Sequence, residues 1–110
     1  MQYIIDGEFY KITRVTGPKH NMLGVRFSET DKEMEVVDLD SSAKQVNFSA
    51  SEVKSQVQLG LADINRELGT KYKISAIQFV GTDTGSDSIY AELIKIIVRR
   101  LESGGKFIEA

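Results

Sequence analysis

Short apolar blocks separated by turn residues fill the first forty positions, and longer blocks at helical spacing fill most of the remainder. Residues 3–5 and 9–15 flank Asp6-Gly7, a dipeptide that supplies the positive φ a tight hairpin turn needs. Gly17-Pro18 opens a second turn, and residues 22–28 and 34–39 read as a third and a fourth strand. Together the four predict an antiparallel meander. The pair Val36-Val37 breaks the alternation of the fourth, which predicts a bulge or a strand with apolar groups on both faces.

A sharper signal follows at 48-FSASEV-53. Ser49 and Glu52 have the spacing of a capping box, and Phe48 and Val53 stand where a hydrophobic staple closes the entry turn. Val53, Val57, Leu61, Ile64 and Leu68 then recur at steps of three and four, which predicts an amphipathic helix that stops at Gly69. Gly60 lies inside that stripe and predicts a close backbone approach to the sheet, whereas Leu59 falls on the outer face. Residues 71–80 read as a strand with apolar groups on both sides, Ile74 and Ala76 on one and Ile77 and Phe79 on the other. A second helix is expected over 89–102, begun by Asp87 or Ser88 and ended by Ser103-Gly104-Gly105, with 106–108 as a short edge strand or a frayed tail. Its apolar arc is wide. Tyr90, Ile94, Val98 and Leu101 extend the stripe of Ile89, Leu93, Ile96 and Ile97, so this helix must be covered on more than one side, by its own domain or by a partner. Arg100 falls inside the arc and is expected to snorkel outward or meet a carboxylate. The whole predicts one α+β domain over residues 1–110: an antiparallel β-meander followed by helix–strand–helix, with a single layer of helices on a sheet.

Composition narrows the function classes. A chain of 110 residues is one domain's length, and with no cysteine it has neither disulfides nor thiolate metal sites, as suits a reducing cytoplasm. The N-terminus has no basic start leading into an apolar core, and Glu92, Lys95, Arg99 and Arg100 interrupt the longest apolar cluster, so neither a secretory signal nor a membrane span is expected. Net charge is −2, unevenly placed. Residues 29–40 hold six acids (Glu29, Asp31, Glu33, Glu35, Asp38, Asp40) against Lys32, a local −5, while the other thirteen basic and ten acidic residues sum to +3. An acidic block without a basic stripe argues against nucleic-acid binding and permits attraction to a basic partner. The same block would also serve as a solvated edge that discourages sheet-to-sheet association.

Candidate chemistry is sparse. The run into Asp83-Thr84-Gly85 has the form in which aspartic proteases present their catalytic carboxylate, but only 27 residues follow Asp83, most of them helical, with no room for a flap or supporting strand. Gly81 to Ser88 reads better as a strand-to-helix connection with Asp83 near the positive end of the helix dipole. Asp83, Ser86 and Asp87 offer oxygen donors without the calcium-loop register, and the two carboxylates oppose an anion at that helix start. Gly104-Gly105-Lys106 ends a helix, unlike a phosphate-binding loop. His20 is the sole histidine, expected as an exposed turn residue with no partner. No convergent catalytic set emerges, so the expectation is a binding protein, with no enzyme activity and no cofactor or metal.

The stretch ISAIQFVGTDTGSDSIYAELIKIIVRRL, residues 74–101, resembles the C-terminal part of small bacterial immunity proteins, partners of contact-dependent growth inhibition toxins and related polymorphic toxins. The shared features are a hydrophobic strand, a Thr-Asp-Thr loop with small residues, and a tyrosine opening a strongly apolar helix. The resemblance implies a small, cytosolic, non-enzymatic protein that binds a cognate toxin C-terminal domain, covering its active site or another essential surface. Toxin nucleases tend to be basic, so Glu29, Asp31, Glu33, Glu35, Asp38 and Asp40, with Asp83 and Asp87, would form the toxin-binding surface. Two alternatives stand beside it: a generic interaction module or homodimer using the wide arc of the last helix, and an enzyme whose acids meet only in three dimensions.

Overall fold

The computed structural model describes residues 1–16, 19–30, 33–40, 47–81, 83 and 88–110. In chain order its elements are β1 (Gln2–Asp6), β2 (Phe9–Thr16), β3 (Lys19–Ser28), β4 (Glu35–Asp38), α1 (Ala50–Leu68), β5 (Lys73–Phe79), α2 (Ile89–Glu102) and β6 (Ile108–Glu109). The fold is α+β. Six strands form one mixed sheet in the order β4-β5-β3-β2-β1-β6, and both helices pack on one of its faces.

The meander stops at three strands. β1, β2 and β3 pair antiparallel in sequence, with Gly7 at φ 60° in the first turn, but β5 rather than β4 pairs with β3. β4 lies beyond β5 and runs parallel to it, from Glu35 opposite Ala76 to Asp38 opposite Phe79. The cause is the composition of the two strands. β5 is buried along nearly its whole length and takes an inner place, whereas β4 alternates exposed and half-buried residues and suits a rim. No bulge interrupts β4. The irregularity falls between Arg26 and Phe27 of β3, opposite Ser75, and corrects the face assignment of β5. Ile74 pairs with Phe27 and Ile77 with Val25, so the extra residue brings Ile74, Ile77 and Phe79 to the helix-covered face and leaves Ala76 on the other. The Ser75 hydroxyl accepts from Arg26 Nε at 3.0 Å and donates to the Arg26 carbonyl at 3.3 Å, which satisfies the polar groups around the bulge.

The core joins Ile12, Leu23, Val25, Ile77 and Phe79 of the sheet to Val53, Val57 and Ile64 of α1 and Leu93, Ile94 and Ile97 of α2. α1 begins and ends as its sequence requires: Ser49 Oγ accepts from Glu52 N at 3.2 Å, and Gly69 takes the left-handed conformation with φ 69°. Gly60 does make a close approach, but to α2 instead of the sheet, facing Ala91 and Ile94. The wide arc of α2 is thereby covered from within the domain, by α1 on one side and the sheet on the other; Tyr90, Leu93, Ile94, Ile97 and Val98 have no exposed surface. Among the described residues Arg100 meets no carboxylate. Its guanidinium lies over the Tyr3 ring at 3.7 Å and donates to the Lys106 carbonyl at 2.9 Å. No described helix is long and apolar enough to cross a membrane.

Candidate functional site

The acidic residues singled out by sequence do not form one surface. β5 has two ends, and the acids divide between them. At its start, where Ser28 pairs with Lys73, lies exposed Glu29, followed along the chain by exposed Glu33 and by exposed Glu35 on the rim strand. At its finish lie Asp38, Asp40 and Asp83. Asp31 and Asp87 lie outside the described residues.

At the finishing end the Asp38 and Asp83 carboxylates are taken up by the fold. Asp83 is 2 % exposed, which removes it from the expected contact surface. Its carboxylate accepts from Met22 N at 2.7 Å and lies 3.4 Å from His20 Nε2, while its carbonyl accepts from Asn47 Nδ2 at 2.8 Å. One residue after β5 thus joins β3 to the approach of α1. Burial pushes the Asp83 carboxyl above its ordinary value; the Met22 N–H and His20 pull it down, and Asp38 pushes it up. Asp38 is half-buried, and its Oδ1 accepts from Gly81 N at 2.9 Å and Asp40 N at 3.0 Å. The expectation of an isolated turn histidine is corrected: His20 is in β3 and faces Asp83, 63 positions away in sequence.

The start of α2 completes this end. Ser88 occupies the cap position at φ 61°, left-handed for a non-glycine, and its side chain makes no cap bond. The vacant role falls to α1, whose Gln56 Oε1 accepts from Tyr90 N at 3.0 Å. Tyr90 is fully buried, edge-on to Phe48 at 4.8 Å between ring centroids. Burial and then the Asp83 charge push its phenol well above the ordinary value; Asn21 acts in the opposite sense, yet no hydrogen bond of normal geometry reaches the hydroxyl among the described residues. Tyr90→Phe is therefore expected to change stability by no more than about 1 kcal/mol, read from the urea midpoint, since it removes a buried polar atom that makes no hydrogen bond of normal geometry.

The opposite end holds what sequence reasoning missed. Tyr72 donates from its hydroxyl to Glu102 Oε1 at 2.7 Å, and burial followed by this carboxylate pushes its pKa up to about 12. Asn65 fixes the segment that carries it, donating to the Tyr72 carbonyl at 3.0 Å and accepting from Tyr72 N at 3.0 Å and Thr70 Oγ1 at 2.8 Å. Phe27 packs against Tyr72 at 5.2 Å between centroids. Beside them a groove of about 570 Å³ opens, walled by Glu29, Lys71, Lys73 and Glu102. The only signal in the sequence was the aromatic residues themselves, and none identified the others as neighbours.

No family model, curated protein or solved structure matches the chain. What the site can do follows from its own geometry. Among the described residues no group of three or more histidine, aspartate or glutamate side chains is placed to hold a metal ion. Asp38 and Asp83 each spend a carboxylate oxygen on a backbone N–H, and the other Asp83 oxygen faces His20. At the other end the exposed Glu29 and Glu102 carboxylates stand beside an aromatic groove that Lys71 and Lys73 also line.

Proposed function

We propose that this domain is an immunity-type inhibitor that works in the cytoplasm, binding a basic, nuclease-type toxin domain through an acidic edge and making or breaking no bonds itself. The observation that carries the reading is the exposed series Glu29, Glu33 and Glu35, which runs from the end of β3 to the rim strand. Among the described residues Glu29 and Glu33 have no basic partner, and Glu35 reaches only Arg26, at 4.0 Å. Such a series raises the rate of encounter with a basic surface and selects against acidic ones. Asp38 and Asp83 support the edge from within and are left out of the contact surface.

The test requires the gene immediately upstream to encode a large secreted protein, whose C-terminal domain is then taken as the toxin. Replacing Glu29, Glu33 and Glu35 together by lysine should slow association about tenfold or more, steepen toxicity on co-expression, and leave thermal unfolding within a few degrees of the original. Unchanged protection and association would reduce the series to a solvated rim that prevents edge pairing.

A second reading, a generic interaction module or homodimer, draws on a different surface. The arc of α2 no longer favours it, but Val15, Val37 and Ile108 are 63 %, 41 % and 74 % exposed, and the strand pairing puts them on the helix-free face. Light scattering that gives a dimer, broken by Val15→Glu, would favour this reading.

A further inference from the structure

Five aromatic rings run in contact along one end of the domain, and the run is finished differently at its two ends. Tyr3, Phe107, Tyr10, Phe27 and Tyr72 follow one another with ring centroids 5.9, 5.1, 5.7 and 5.2 Å apart. At the Tyr3 end the chain supplies its own cation, the Arg100 guanidinium stacked at 3.7 Å. At the Tyr72 end no arginine lies over Phe27 or Tyr72 among the described residues, and the groove of about 570 Å³ opens there instead. Glu29 and Glu102 both stand on its wall. The Tyr72 hydroxyl holds Glu102 Oε1 at 2.7 Å, which orients the carboxylate beside the ring and leaves its second oxygen for another donor.

We propose that this groove receives one arginine side chain from a basic protein partner, stacked on Phe27 and Tyr72 and paired with Glu102 and Glu29. The inference rests on the functional reading above and names the anchor within that surface, since Glu29 belongs to both the acidic series and the groove. Guanidinium combines the two properties the groove asks for. It is planar and weakly hydrated, so it stacks on an aromatic face, and its fork of donors matches a carboxylate edge on; a lysine ammonium offers only the charge. Lys71 and Lys73 also line the groove, but exposed Lys71 has the reach to turn into solvent, whereas the Tyr72 hydroxyl fixes Glu102 beside the ring. Arginine in a pocket of this kind is a common energetic centre of protein interfaces.

The experiment needs no toxin. Isotope-labelled protein is titrated with N-acetyl-arginine amide and, separately, with N-acetyl-norleucine amide, which has similar length and no charge. Amide shifts should move saturably at Ser28, Thr70 and Tyr72 with the arginine probe only, while His20 and Asp83 at the far end stay still. The double variant Glu29→Gln, Glu102→Gln should lose at least tenfold in affinity, and Tyr72→Phe, which unties Glu102, should lose less. An equal response to norleucine amide, or undiminished binding by the double variant with its other shifts in place, overturns the proposal. The two readings fail separately: arginine binding with protection indifferent to charge reversal at Glu33 and Glu35 removes the inhibitor and keeps the groove, and the converse removes the groove alone.

Discussion

Gly60→Ala is expected to destabilise the domain although alanine is the better helix former. An alanine Cβ at this position would lie 2.5 Å from the Ala91 carbonyl oxygen, 2.6 Å from Ile94 Cγ2 and 2.8 Å from Ala91 Cα. Ile94 has no exposed surface and little freedom to move aside, and the other two obstacles are backbone of the facing helix. The intrinsic gain of alanine over glycine in a helix is about 1 kcal/mol. Forcing two packed helices apart costs about 1–3 kcal/mol and here opens the seam on which α1 and α2 meet. A net loss of about 1–2 kcal/mol in urea unfolding is the expected result for alanine, with a larger loss for Gly60→Val, whose branched side chain meets the same wall. A Gly60→Ala protein as stable as the original would mean that the helix seam has slack the short distances deny.

The second large effect lies at Asp83, where alanine and asparagine should separate. Alanine removes the acceptor 2.7 Å from Met22 N and is expected to cost about 1–3 kcal/mol, the penalty of a donor left unsatisfied away from water. Asparagine keeps an oxygen for that N–H and removes the burial cost of the charge. Its difference from the wild type should therefore depend on pH, with a sign that follows from linkage. Asp83 has its folded pKa raised above the unfolded value, so its contribution is fully present below the unfolded pKa, near 3.9, and is lost as pH rises through the folded pKa. His20, Asp38 and Tyr90 are the other titratable groups that face it, and the net direction is upward because burial is the largest influence. Asp83→Asn should gain on the wild type as pH climbs from 4, reach a plateau at neutral pH, and there be no less stable than the wild type. Urea titrations at pH 4, 5, 6 and 7 decide it. If asparagine is as damaging as alanine at pH 7, the carboxylate's contact with His20 outweighs the cost of burying it.

Local signals in the sequence were legible and long-range ones were not. Ser49 and Glu52, the stripe on α1, the left-handed Gly69 and the limits of α2 all depend on neighbours within a few residues, and each lies where the pattern puts it. β5 was recognisable as an inner strand from its apolar character, but nothing in that character says which strands flank it, so β4 was assigned to the meander it does not join. The bulge opposite Ser75 had no local mark and moved Ile74 from the face of Ala76 to that of Ile77 and Phe79. Charge was misleading for a geometric reason. Residues 29–40 look like one block, yet this stretch travels from one end of β5 to the other, so Glu29, Glu33 and Glu35 are exposed whereas Asp38 turns inward. Tyr3, Tyr10, Phe27, Tyr72 and Phe107 could be assembled only once strand register was known.

The parallel attachment of β4 has a thermodynamic corollary. The first two hairpins close over short turns, whereas β4 reaches its single strand neighbour only through the whole of α1, so its attachment carries the entropy of a long crossover for four paired residues. It can peel away while the other five strands stay zipped. A molecule gripping Glu33 and Glu35 would clamp that seam shut, and part of its binding free energy would appear as slower local opening of the sheet.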